Sequence, residues 1–481
     1  MPAPKERAAI KVQSERAVLA AVRLPTSTYD QRDPFGELTA LAEQAGAVVV
    51  GTLDQRLERP IAGTYIGTGK VKELKALCDQ LEADVVIFDH DLSPRQLANI
   101  EEVVGRKVLD RSELILDIFA ARATTVEAKL QVELAQLEYT YPRLKAMWSH
   151  LERIVGAGGL AGIGTRGPGE QQLEIDRRMA QAKQVALRRE LDVIQERKRR
   201  MVRDRNLDYF TVGIVGYTNA GKSTLFNTLT AGGAYADDRL FATLVTRTRE
   251  WDLGGGTNVM LSDTVGFVRD LPTNLIASFK ATLEEATHCN VLLIVLDVSD
   301  PAAELHYQTV TKTLDELFTE VREYESRHAA TPGNRKWQAD SEVESAPQQT
   351  GTIQTEYVWQ EPQRILCLNK IDALRDNAAL LVWQRRAQNT IAMSAKTAGD
   401  AGLAKLTKLM HELATGGQVE LRVRVNLADS RTIDILEKRG KVGKREYGEG
   451  VVTMEVNIGR RQLDQLRSLG AKMEILKMKA V

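Results

Sequence analysis

An α/β chain of several domains is predicted, on three observations. Short apolar runs alternate with helix-period stretches over residues 17–120 and again over 210–415. Between these blocks lies a segment with helical spacing only. The chain, 481 residues long and 43% apolar, is too long for one core and rich enough for several, about three or four by length.

In the first block, Ala47-Val48-Val49-Val50 and Asp84-Val85-Val86-Ile87-Phe88 read as buried strands, and Lys70 to Leu81 as a helix between them. From Val126 to Val155 the apolar residues Leu130, Leu134, Leu137, Leu144, Trp148 and Leu151 fall at helical spacing, with a kink expected at Pro142. A second long helix is expected from Glu170 to Asn206. Between the two, Gly156 to Gly169 holds seven glycines around Arg166 and cannot sustain a helix, so the pair reads as a helical hairpin with a glycine-rich tip. In the second block the strands expected are Phe210 to Val215, Val259 to Ser262, Val291 to Val298 and Ile365 to Leu368, in a parallel, helix-covered sheet. Arg327 to Pro362 lacks periodicity and reads as a largely disordered insertion. The tail offers strands at Leu421 to Leu427 and Gly450 to Ile458, and helices at Ser430 to Arg439 and Arg460 to Leu469. The domains expected are therefore 1–120, 121–207, 208–416 and a small α+β unit at 417–481.

Lysine plus arginine number 65 and aspartate plus glutamate 65, so any surface for a polyanion must be local. Cys78, Cys289 and Cys367 are widely spaced and exclude a disulfide framework or a paired metal motif. The polar start, Met1 to Arg16, and the shortness of the strongest apolar run, Val291 to Val298, predict a soluble cytoplasmic chain without a membrane span.

The chemistry is carried by four short motifs. Gly216-Tyr217-Thr218-Asn219-Ala220-Gly221-Lys222-Ser223, then Thr224, follows an apolar strand and precedes a helical run with Leu225, Phe226 and Leu229. That is the setting of a phosphate-binding loop (P-loop). Its glycines let backbone N–H groups wrap a phosphate, Lys222 spans the β- and γ-phosphates, and the Ser223 hydroxyl ligates Mg2+. Asp263-Thr264-Val265-Gly266 ends a later strand, bringing a carboxylate to the Mg2+ and the Gly266 N–H to the γ-phosphate. Asn369-Lys370-Ile371-Asp372 ends another, and the Asp372 carboxylate can accept two hydrogen bonds from guanine that adenine cannot offer. Ser394-Ala395-Lys396 ends a fourth, where backbone N–H groups reach the guanine O6. Four motifs in this order at strand ends predict a GTPase.

A switch threonine should complete the Mg2+ shell with Ser223 and Asp263. Thr243, within Phe241-Ala242-Thr243-Leu244-Val245, is preferred over Thr246 and Thr248. Lys222, Thr243 and Gly266 are then the catalytic set. Phe267 stands where many GTPases carry the glutamine that orients the attacking water, so slow unassisted hydrolysis is expected. Asn219 either helps hold K+ or makes a local turn-stabilising bond; its position allows both.

The sequence resembles the HflX family of translational GTPases. The resemblance lies in Gly67-Thr68-Gly69-Lys70-Val71, Asp91-Leu92-Ser93-Pro94-Arg95-Gln96, Asp110-Arg111, Leu114 to Ala120, Lys129 to Leu137, Pro142-Arg143-Leu144, His150-Leu151-Glu152-Arg153, Arg166 to Glu170, and Phe241 to Leu244. It implies an N-terminal α/β domain with a helical hairpin, a G domain, binding to the large ribosomal subunit and its RNA, and separation of stalled ribosomes into subunits. The alternative is a GTP-gated RNA chaperone or ribosome-assembly factor. With the resemblance, Arg197-Lys198-Arg199-Arg200, Arg203, Arg205 and Arg166 read as RNA contacts rather than a solvated helix face. The insertion at 327–362 and the tail depart from the family pattern. A monomer is expected.

Overall fold

The computed structural model spans residues 1–481 and describes 15–25, 29–30, 32–156, 168–230, 247–269, 285–329, 359–374, 376, 378–386, 389–397, 399–448, 450–460, 463, 466, 471 and 473–480.

The N-terminal unit is a parallel sheet, β1 (Arg16–Arg23), β2 (Val48–Arg56), β3 (Val85–Phe88) and β4 (Lys107–Leu109), in the order β2-β1-β3-β4. Its central strands are apolar on both faces because helices cover both. Ala17, Leu19, Val85 and Ile87 face α1 (Gly36–Gln44) and α4 (Arg111–Arg122), whereas Val18, Ala20, Val86 and Phe88 face α2 (Thr68–Gln80) and α3 (Pro94–Val104). Local chemistry sets the helix ends. Ser93 and Gln96 form a reciprocal capping box around Pro94 at the first turn of α3, and Gly105 closes that helix at φ 71°.

The hairpin is α5 (Val126–Gly156) and α6 (Pro168–Asp208), and Pro142, where a kink is expected, lies inside α5. Near its base Leu134, Leu187 and Leu191 form a small seam flanked by Leu130 and Leu137. The glycine-rich tip at 157–167, with Arg166, lies outside the described residues.

The third unit is a six-stranded sheet in the order β10-β9-β8-β5-β7-β6. It is formed by β5 (Thr211–Gly216), β6 (Arg247–Asp252), β7 (Asn258–Asp263), β8 (Val291–Asp297), β9 (Gln363–Asn369) and β10 (Thr390–Ala392). It is parallel except for β6, an antiparallel edge strand paired with β7. The alternation Glu250-Trp251-Asp252, with only Trp251 buried, is that of a one-faced edge rather than a buried central strand. One face of the sheet packs on α7 (Lys222–Leu229) and α10 (Ala401–Thr415), the other on α8 (Ala303–Ala329) and α9 (Ala378–Arg386). Helix α8 runs to Ala329 and so takes in the start of the stretch read as an insertion. At its far end Trp359 donates to the Thr287 carbonyl (2.9 Å). Residues 330–358 are outside the described set.

The C-terminal unit is an antiparallel sheet, β11 (Gln418–Asn426), β12 (Lys441–Gly448), β13 (Val451–Gly459) and β14 (Met473–Ala480), in the order β12-β13-β11-β14, with α11 (Ser430–Arg439) between β11 and β12. Alternate residues Val419, Leu421, Val423 and Val425 meet Leu436, Leu463 and Leu466 in its core. Strands β12 and β14 were not legible in the sequence, since they are edges rich in charge. Among the described residues no helix is long and apolar enough to cross a membrane, and all three cysteines are free and buried.

Candidate nucleotide site

The four motifs converge where β5, β7, β9 and β10 end. The P-loop leaves β5 at Gly216, where φ is 156° and an added Cβ would lie 2.3 Å from the Val295 carbonyl oxygen, so only glycine fits. Asn219 takes φ 61° and Gly221 φ 91° before α7 begins at Lys222. The Lys222 ammonium is buried and donates to the Tyr217 carbonyl (2.6 Å). Burial lowers its pKa to about 8, against the pull of Asp263, which raises it. The Ser223 hydroxyl donates to the Asp263 carboxylate (2.9 Å), so the hydroxyl and carboxylate expected at a Mg2+ face each other. A Cβ on Gly266 would lie 3.0 Å from Lys222 Nζ and 2.9 Å from Thr218 Cγ2, which places this backbone directly against the loop.

The guanine-side motifs are joined to the loop by one side chain. Asn369 donates through Nδ2 to the Ala220 carbonyl (2.8 Å) and accepts through Oδ1 from the Ala395 N–H (2.9 Å). Thr228 of α7 donates to the Ala395 carbonyl (2.8 Å), and the hydroxyls of Ser394 and Thr397 lie 2.8 Å apart. Lys370 adopts φ 60° and pairs with Asp297 (2.6 Å). Asp372, on the short 3₁₀ turn Ile371–Ala373, and Lys396 are exposed.

Some residues assigned to the site turn their side chains away from it. The Thr264 hydroxyl donates to the Ile214 carbonyl (2.7 Å), Val265 sits in the N-terminal core, and Ala395 and Ile371 pack into the G-domain cores. What these four offer a ligand is backbone. Phe267 is buried; its N–H donates to the Gly216 carbonyl (3.1 Å) and its carbonyl accepts from the Thr218 N–H (2.8 Å), so it braces the P-loop and presents no polar group to water. Phe241, Ala242, Thr243, Leu244, Val245 and Thr246 lie outside the described residues. Thr248 is on β6 with its hydroxyl bonded to Ser262, Glu285 and Arg205, which occupies it fully.

Sequence reasoning missed a buried cluster under the loop. The Tyr217 hydroxyl donates to Glu37 (2.6 Å) and accepts from the Arg269 N–H (2.9 Å). Arg269 pairs with both Asp89 oxygens (3.0 Å each), Arg111 Nη1 donates to Asp89 (2.7 Å), and Arg111 Nη2 donates to Glu37 (2.7 Å) and to the Arg269 carbonyl (3.1 Å). Arg23 approaches Asp89 at 3.4 Å. Burial alone would raise the Asp89 carboxyl, but Arg111 and Arg269 outweigh it and hold it below the usual range. Burial and Glu37 push the Tyr217 phenol well above its ordinary value, so it stays a donor. Val265 and Val268, on either side of Gly266, are packed in the core of the N-terminal unit. Arg111 had been singled out within Asp110-Arg111; its partner Arg269 carried no sequence signal.

Family models match three consecutive stretches: GTP-binding GTPase N-terminal over 32–120, GTP-binding GTPase Middle Region over 122–205, and 50S ribosome-binding GTPase over 211–330. The chain is 38% identical over 445 residues to a GTPase HflX of Lacrimispora saccharolytica, covering 92% of each. It is 42% identical over 304 residues to that of Escherichia coli, covering 63% of this chain and 70% of the other. A solved GTP-binding protein from Sulfolobus solfataricus in complex with GDP is 23% identical with a TM-score of 0.39, over 84% of this chain and 99% of that one. With a relative this similar along nearly its whole length, and the phosphate and guanine motifs assembled around one loop, the chain belongs to the HflX family of GTPases and is a GTP hydrolase.

Proposed function

We propose that this chain binds the large ribosomal subunit through its helical hairpin in the GTP-bound state, separates stalled ribosomes into subunits, and is released by hydrolysis. The observation that carries this reading is the junction beneath the site. Val265 and Val268 flank Gly266 yet lie in the core of the domain that bears the hairpin, so a shift at the γ-phosphate position has a packed route to the hairpin.

Within the site, P-loop backbone and Lys222 hold the phosphates, Asp372 selects guanine, and Gly266 offers its N–H to the γ-phosphate. The Ser223 hydroxyl and Asp263 carboxylate are hard oxygen donors of the kind Mg2+ takes, and with Thr243 they would hold it. When bound, that ion neutralises charge on the β- and γ-phosphate oxygens. Asn219 would be the residue beside K+, and turnover in potassium against sodium salt separates that role from a conformational one. A cytoplasmic site of action follows from the ribosome as partner.

Sucrose gradients test the reading. Protein with GTP should convert whole ribosomes to subunits, and deletion of Leu160 to Thr165 should reduce this while leaving thermal stability and GTP binding nearly unchanged. A whole-ribosome peak unmoved by protein and GTP would favour the RNA-chaperone or assembly-factor reading instead.

The depressed Lys222 pKa predicts a pH dependence. Between about 8 and 10.5 the free folded protein holds Lys222 neutral while the unfolded chain keeps it charged. Its destabilising contribution is therefore full below 8 and relieved as pH rises through that window. Triphosphate favours the charged ammonium, so binding should take up about one proton near pH 9 and weaken as pH rises above 8. Calorimetry in two buffers of different ionisation enthalpy reads this; an identical binding enthalpy in both would contradict it.

A further inference from the structure

Near its C-terminal end α6 carries Arg205, whose Nη1 donates to Thr248 Oγ1 (3.1 Å) and lies 3.7 Å from Glu285 Oε2. Thr248 Oγ1 is also 3.0 Å from Glu285 Oε2 and 3.0 Å from Ser262 Oγ. A hydroxyl has one proton and two lone pairs, and a carboxylate can only accept. Thr248 therefore donates to Glu285 and accepts from both Arg205 and Ser262, which uses its full capacity. The cluster is largely closed to water, with the Glu285 side chain 8% and Arg205 24% exposed, so its charges are less screened than those of a surface pair.

Its position gives it meaning. Thr248 pairs across the ladder with Ser262, and the next pair is Arg247 with Asp263. Ser262 directly precedes Asp263, whose carboxylate accepts a hydrogen bond from the Ser223 hydroxyl of the P-loop. Hydrogen bonds and one peptide link thus join the base of the hairpin to the Mg2+ side of the nucleotide site, by a route separate from the cluster around Asp89.

We propose that Arg205, acting through Thr248 and Glu285, is a positioning residue that couples the hairpin helix to the nucleotide state of the G domain. The coupling is a property of this chain and holds whatever the hairpin binds. Guanidinium engaged with Thr248 and Glu285, and guanidinium released to the water it already borders, are two discrete arrangements; a displacement of β7 at Asp263 shifts Thr248 and biases between them.

Hydrogen exchange on the full chain tests this without ribosomes. Amides of α6 from 190 to 205 should exchange at rates differing by at least about fivefold between GDP and a non-hydrolysable GTP analogue. Arg205→Ala and the near-isosteric Thr248→Val should cut that difference below about twofold while GDP affinity stays within about twofold of wild type, and Arg205→Lys should retain part of it. If Arg205→Ala does not fold, Thr248→Val carries the test. No nucleotide-dependent difference in wild type, or its full survival in both variants, overturns the proposal. Loss of the difference together with GDP affinity and melting temperature also overturns it, since that is what a merely structural anchor would give.

Discussion

Asp372→Asn is expected to lower GTP affinity by about 2 to 5 kcal/mol, because the charged acceptor of two guanine hydrogen bonds becomes a group that can accept only one and presents a donor to the other. Asp372 stands exposed on its 3₁₀ turn, and the bracing Asn369 is a separate side chain, so the loss should be confined to base recognition. Xanthine nucleotides, with a carbonyl where guanine has its amine, should bind the variant better than GTP does. Equal GTP affinity in wild type and variant by equilibrium titration would remove Asp372 from the site.

Asp89→Ala should cost about 3 to 5 kcal/mol of stability, since it strands the buried guanidinium groups of Arg23, Arg111 and Arg269 around one missing carboxylate. The exposed pair of Asp79 with Arg106 is the internal control, where Asp79→Ala should cost about 0 to 1 kcal/mol. Because the folded pKa of Asp89 is lowered below 3.8, its contribution is present above that pH and lost as pH falls through the folded value. Urea denaturation at pH 7, and at a series of pH values falling progressively below 3.8, reads both effects. A loss under about 1 kcal/mol for Asp89→Ala at pH 7 would mean that the arginines reach water or another anion, and that the cluster does not bind the two domains together.

The motifs that converge at the candidate nucleotide site were legible because each is short and local. A P-loop is contiguous, and the carboxylate and guanine motifs each close an apolar run, so strand ends could be marked from hydropathy alone. The central strands β3, β5, β8 and β9 were legible for the same reason, their residues being apolar on both faces. Edge strands were not. Arg247–Asp252, Lys441–Gly448 and Met473–Ala480 carry charge on their open sides, and only pairing with a neighbour makes them strands.

By itself the sequence carried much of the order of elements, the motifs from which phosphate and guanine chemistry is expected, and the absence of a glutamine after Gly266, all written within a few residues of one another. Only the tertiary structure decided where the side chains of Tyr217, Val265 and Arg269 go, and that the hydroxyl of Thr248 is spent on Arg205, Ser262 and Glu285 rather than available to a metal. Glu37 and Tyr217 are 180 residues apart, as are Asp89 and Arg269. No periodicity spans such a distance. An arginine or a tyrosine looks the same in sequence whether it faces solvent or a buried carboxylate; the choice is made by which strand ends the folded sheets bring together, and by the cost of leaving a charge in the interior unpaired.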